Sequence, residues 1–186
     1  MTFLPLALAV LCPSIVPTQS DVGPSYNYLQ LNAGLTRYEN LGDDGEILGI
    51  AASFELSDSI FLYADYGDNS ASVGGALSDI TALEVGVGAY VSVAPSVDFF
   101  ASAGFLSADS DLSGDEDGHV LGAGLRAKAS NQLELNAGLK ETSTGEDDSA
   151  LWFGAVFNLT DNLGVSATFM NGDDYDGFMV GLRLYL

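Results

Sequence analysis

One cysteine, one histidine, one tryptophan and 5 basic residues are all that this sequence has of those types, and it contains no long uninterrupted apolar run. Each shortage excludes something. The cysteine, Cys12, lies within an uncharged, largely apolar stretch at the start of the chain, so disulfides and thiol chemistry are not expected in the remaining residues. With 26 Asp and Glu against 5 Lys and Arg, the formal net charge is −21. That balance speaks against nucleic-acid binding, which needs clustered Lys and Arg to meet phosphates. The Phe3–Cys12 run is too short for a spanning helix, which takes about 20 apolar residues. Its length suits a secretory leader over residues 1–20, although the leader lacks its usual basic start and a clean small-x-small cleavage site. Residues 21–186 then form the second and last unit, one domain's worth of chain.

What is present is apolar residue in an alternating arrangement. The chain is 47% hydrophobic with positive mean hydropathy, which argues against disorder. From Tyr26 onward apolar and small or polar residues alternate at period 2, the mark of a strand with two unlike faces. Leu29–Leu35, Leu48–Leu56, Ile60–Ala64, Leu83–Val91, Val97–Phe105, Leu121–Ala127, Leu133–Leu139, Leu151–Phe157, Leu163–Phe169 and Phe178–Leu186 make ten such runs. Most reach the roughly 9–11 residues that a tilted membrane strand needs. A water-soluble β-sandwich or lipocalin-like barrel also alternates, but its outward face carries charge. Here the polar face is Gly, Ala, Ser, Asn and Tyr with isolated charges, and the apolar face has almost none. The expected fold is all-β: a closed antiparallel up-and-down transmembrane barrel of ten strands, or of eight if the hairpin over 149–171 were miscounted.

The connections support closure. Short turns centre on Asp58, Pro95, Asn131 and Thr160, and longer polar links fall at 39–45, 68–79, 108–118, 143–149 and 171–176. Tight periplasmic turns and larger external loops are the pattern of a membrane barrel. Centring the turns on those residues pairs Glu55 with Phe61, Ser92 with Asp98, Lys128 with Glu134 and Phe157 with Leu163. Each pair then points to one face, as opposed residues in a hairpin must.

The opening Ser25-Tyr26-Asn27-Tyr28 and the closing Gly181-Leu182-Arg183-Leu184-Tyr185-Leu186 resemble the small outer-membrane β-barrel proteins of proteobacteria, the class with OmpA-like and OmpX-like members. The ending is similar to the signal that the barrel-assembly machinery reads, with Leu186 in place of the usual aromatic and Met179 in place of the usual polar residue. The resemblance implies an exported protein of the outer membrane, a monomer in contact with lipid and lipopolysaccharide. Members of this class are envelope-stabilising proteins, adhesins, narrow channels and, occasionally, enzymes.

The residues themselves narrow the function. Glu55, Asp65, Glu84, Asp98, Arg126, Lys128, Glu134, Lys140 and Arg183 fall on the inward face. In a narrow barrel such charges must pair, because an unpaired buried charge is costly. A lumen plugged by ion pairs is the expectation, and a narrow cation-preferring path lined by the same groups is the alternative. Catalysis is not expected: His119 stands alone among the loop acids Asp115, Glu116 and Asp117. No cofactor and no metal centre is expected either.

Acid concentrates in the external links. Asp109-Ser110-Asp111-Leu112-Ser113-Gly114 resembles the first half of a calcium loop, but Val120 stands where the closing Glu would be. The acids, Asp109, Asp111, Asp115 and Asp117 among them, read first as a hydrated, mutually repulsive surface. Loose divalent cations bridging them to lipopolysaccharide come next, ahead of a defined calcium site. A surface adhesin or interaction protein is the remaining reading. The matching stretches Leu29–Leu35 and Leu133–Leu139 place Gly34 and Gly138 inward, leaving room for a large neighbour such as Tyr28 or Trp152.

Overall fold

In the computed structural model, which describes residues 26–38, 44–73, 76–111, 114–144, 146–173 and 175–186, the chain is a closed antiparallel barrel of ten strands. The strands are β1 (Tyr28–Tyr38), β2 (Asp44–Ser57), β3 (Ile60–Val73), β4 (Ala76–Ala94), β5 (Val97–Ser110), β6 (Gly114–Lys128), β7 (Leu133–Thr144), β8 (Glu146–Asn158), β9 (Leu163–Gly172) and β10 (Tyr175–Tyr185). Each pairs with its sequence neighbours, and β1 closes on β10 from Tyr28↔Tyr185 to Tyr38↔Tyr175. Closure leaves no sheet edge, which a hydrocarbon surrounding requires because it offers no partner to a free amide or carbonyl. The eight-strand alternative is not realised. The leader expected over 1–20, Cys12 included, and the loop acids Asp43 and Asp174 lie outside the described residues.

Alternation becomes burial. On β9 from Gly164 to Asn171 and on β10 from Gly177 to Tyr185 the pattern is inward-buried and outward-exposed at every step, and Leu31, Leu48, Phe54, Val91, Leu139, Phe153 and Leu182 all face out. On β4 this outward apolar face runs from Val93 to Leu83, long enough for a tilted strand to cross the hydrocarbon core.

At the turn end of the barrel the backbone closes into a rim. The carbonyls of Ser59, Ser96, Gln132 and Asn162 accept the amides of Tyr90, Lys128, Asn158 and Tyr185 from the next hairpin along. The Asn27 carbonyl accepts from Leu186 and ties the two chain ends together. Three of the four sequence-derived pairs stand in register: Glu55↔Phe61, Ser92↔Asp98 and Lys128↔Glu134. The fourth does not. Phe157 pairs with Val165, because the turn is held by Leu163 accepting the amides of Leu159 and Thr160 and so sits further along the chain. The first two turns are two residues long, and register shifts at Leu56 and Val93 supply the extra residue that keeps their faces aligned.

The long external loops are the second correction. Most of 68–79, 108–118 and 143–149 is strand, paired as Asp68↔Thr81, Ala108↔Glu116 and Ser143↔Asp147. The polar composition that suggested loops marks strands whose ladder continues past the end of the apolar band. At the β5–β6 turn Gly114 has φ +80°, a left-handed conformation that glycine takes without a Cβ penalty.

Candidate functional site: the barrel lumen

Every inward side chain of the barrel meets the others in one narrow space, so the lumen is the place to look for chemistry. It is layered. Nearest the turns, Arg126 and Glu134 form a two-pronged pair: Nε donates to Oε1 at 2.7 Å and Nη2 to Oε2 at 2.5 Å. Lys128 is the register partner of Glu134, as its position requires, but Arg126 takes both carboxylate oxygens because its fork matches their geometry. Glu55 accepts a hydrogen bond from the Tyr90 hydroxyl at 2.7 Å, and Asp98 accepts one from Ser92 at 2.7 Å.

In the middle layer Glu84 and Asp65 are direct register partners on β4 and β3, both buried. Glu84 accepts from the Tyr63 hydroxyl through Oε1 and from Lys140 through Oε2, each at 2.7 Å. Lys140 comes from β7, so this contact crosses the lumen. Arg183 donates to Gln30 at 2.6 Å and lies over the Tyr28 ring at 4.2 Å, a cation–π placement. Both charges are sheltered from water and face the two acids.

The outer layer is of another kind. Ile47, Ile80, Leu106, Val120, Met170 and Met179 point inward and are almost wholly buried. Of these, Ile47, Met170 and Met179 pack with Tyr38, Phe100, Ala150, Trp152 and Tyr175 into one apolar cluster inside the barrel. Gly138 makes room for Trp152, since a Cβ there would meet the indole at 2.8 Å; Gly34 makes room for Met179 rather than for Tyr28. On the outside of this same zone the lipid-type face gives way to acid. Leu48 is followed outward by Glu46, Tyr66 by Asp68, Leu139 by Glu141, and Phe178 by Asp176. Polarity therefore shifts along the barrel axis: apolar outside and charged inside nearer the turns, acidic outside and inside a mixture of apolar side chains with uncharged Thr36, Asn69, Thr142 and Thr144 at the other end. The sequence reading missed this shift because alternation shows that two faces differ without showing where their character changes.

Asp109, Asp111, Asp115 and Asp117 belong to that outer zone. Asp109 and Asp115 are opposed across the β5–β6 ladder, Asp117 faces Ser107, and all four side chains are exposed. Asp109 and Asp115 thus stand side by side on the outer face of the β5–β6 ladder, with Asp117 one step along the same face. Among the described residues no group of three or more His, Cys, Asp or Glu side chains is gathered to hold a metal ion. His119 lies on β6, exposed on the outer face opposite Phe105.

A family model described as outer membrane protein beta-barrel domain matches residues 4–182. The chain belongs to that family. Its place is therefore the outer membrane, in contact with membrane lipid. No curated protein matches the chain at a significant level. Among solved structures it is similar to an outer membrane channel from Pseudomonas putida F1, with a TM-score of 0.53 and 11% identity over 92% of this chain and 97% of that one. It is also similar to the KdgM porin in complex with disordered oligogalacturonate, with a TM-score of 0.50 and 7% identity over 86% of this chain and 99% of the porin. At such identities the likeness is one of fold, and this family member's lumen has to be read from its own residues.

Proposed function

We propose that this outer-membrane barrel is a non-enzymatic envelope protein whose lumen is sealed, and that its working surface is the acidic zone standing outside the membrane. The observation that carries this reading is the Lys140–Glu84 contact, made across the lumen at 2.7 Å between a buried carboxylate and a largely buried lysine. A solute path at that level would have to separate them, leaving charges without partners in a poorly solvated space. Above the contact the close-packed apolar cluster leaves an ion little room, and the Asn69 amide there is already bonded to Thr36 and Tyr38. The acids outside keep the projecting strands hydrated, and divalent cations can bridge them loosely to lipopolysaccharide. Delivery to the membrane would use the barrel-assembly machinery.

The rival reading is a narrow cation-preferring channel, and planar bilayers separate the two. Purified protein is expected to give no steady conductance. Steady cation-selective steps that weaken in Glu84→Ala or Asp65→Ala would overturn the sealed lumen and establish the channel.

A further inference from the structure

Tyr26 precedes the first strand, yet it is fully buried. Its ring lies between those of Phe61 and Tyr90, with centroids 4.3 Å and 4.1 Å away and interplanar angles of 15° and 24°. The chain is fixed next to it: the Asn27 side chain accepts the Glu55 amide at 3.0 Å, and the Asn27 carbonyl accepts the Leu186 amide. The segment thus turns from the rim into the barrel and sets an aromatic ring across the turn-side mouth.

Behind that ring the polar groups are incompletely paired. The Tyr26 hydroxyl, Asp98 Oδ2 and Arg126 Nη1 are buried without hydrogen-bond partners. They share one region: Asp98 and Arg126 are register partners on β5 and β6, the Arg126 guanidinium lies 5.9 Å from the Tyr26 ring centroid, and both charges act on the Tyr26 hydroxyl. Ser53 Oγ, flanked in register by Tyr28 and Tyr63 one inward step above Glu55, is buried and unpartnered too. An unmet buried polar group is costly, so several in one place mark a space suited to a polar guest. Glu134 is paired with Arg126 there, whereas Glu55 and Asp98 accept from the Tyr90 and Ser92 hydroxyls and have no ion pair among the described residues, which leaves them as the negative groups a cation would meet.

We propose that the turn-side half of the lumen is a blind vestibule that accepts small cations from the periplasm, with the Tyr26 ring as its stopper. The ring is held by stacking and by the Arg126 guanidinium without a hydrogen bond on its hydroxyl, so its withdrawal breaks no hydrogen bond, whereas the Tyr63 and Tyr90 hydroxyls are fixed to Glu84 and Glu55. The Lys140–Glu84 contact and the apolar layer form the blind end. Only that end rests on the sealed-lumen reading.

Thiol labelling tests the stopper. On a Cys12→Ser background, Ser53→Cys places a single thiol behind Tyr26, and Ala82→Cys places one beyond Glu84. Folded protein, verified by its heat-dependent gel shift, is treated with a cationic methanethiosulfonate and with an anionic one of similar size. Ser53→Cys should react slowly, and faster by an order of magnitude or more when Tyr26→Ala is added, with the cationic reagent ahead. Ala82→Cys should stay unreactive in both backgrounds. Equal Ser53→Cys rates with and without the Tyr26 ring would overturn the stopper. An anionic reagent as fast as the cationic one would overturn the cation preference, and labelling of Ala82→Cys would overturn the blind end. If Tyr26→Ala does not reach the folded band, Tyr26→Leu, which keeps bulk but loses the stacked ring, makes the same comparison. Conductance in bilayers would break the seal while leaving the labelling result to decide the stopper.

Discussion

Lys140 and Glu84 lie on β7 and β4, separated around the barrel by β5 and β6, and their side chains meet at 2.7 Å with almost no exposure to solvent. A contact between strands that share no ladder is possible only because the sheet closes on itself. At that level two charged side chains from non-adjacent strands meet inside the barrel.

The Arg126–Glu134 pair should behave as a buried ion pair. Arg126→Met alone strands the Glu134 carboxylate and is expected to cost about 3–5 kcal/mol, whereas Arg126→Met with Glu134→Leu should recover most of that. Denaturant unfolding of the folded barrel in detergent measures both. Equal losses in the single and double variants would show that the pair contributes packing rather than charge compensation.

Gly138 is a steric requirement of the single tryptophan. A methyl group there would meet the Ala123 carbonyl at 2.5 Å and Trp152 at 2.8 Å, and the carbonyl cannot yield without disturbing the ladder. Gly138→Ala should destabilise the barrel by about 1–3 kcal/mol, as overpacking does. Trp152 is the only tryptophan, so its emission reports the same site and should move to longer wavelength in the folded variant.

The polarity shift sets the depth of the barrel in the membrane. Val87→Arg places a cation in the middle of the apolar band and should cost about 2–4 kcal/mol, against about 0–1 kcal/mol near or beyond the interface for Asp79→Arg on the same strand and face. Unfolding from lipid vesicles would show the difference. Equal costs at the two positions would place the membrane boundary elsewhere.

Much of this protein was legible from residue order. Alternation along Leu29–Leu35 or Phe178–Leu186 gives the strand and its two faces, because side chains of a strand point to opposite sides at every step. The near absence of charge on one face gives the lipid surroundings, and the spacing between runs gives antiparallel neighbours. The register at Glu55↔Phe61, Ser92↔Asp98 and Lys128↔Glu134 follows from keeping like faces together. The same logic could not distinguish Phe157↔Leu163 from Phe157↔Val165, since both preserve the face and differ only in the turn. Nor could it tell acid-rich loop from acid-rich strand at 108–118, where the hydrogen-bonded ladder continues after the apolar signal has ended.

The inward charges were likewise visible as a set, since parity alone assigns Glu84, Asp98, Arg126, Glu134, Lys140 and Arg183 to the lumen. Their partners were not. Arg126 reaches Glu134, Lys140 reaches Glu84, and Tyr26 enters the mouth between Phe61 and Tyr90 because closure brings together side chains that lie far apart around the sheet. The sequence by itself determined the strands, their faces and the membrane they suit, all of which follow from near-neighbour periodicity. Only the tertiary structure decided which inward groups meet, because that depends on the radius, tilt and stagger of a closed barrel, and these belong to the whole sheet rather than to any one strand.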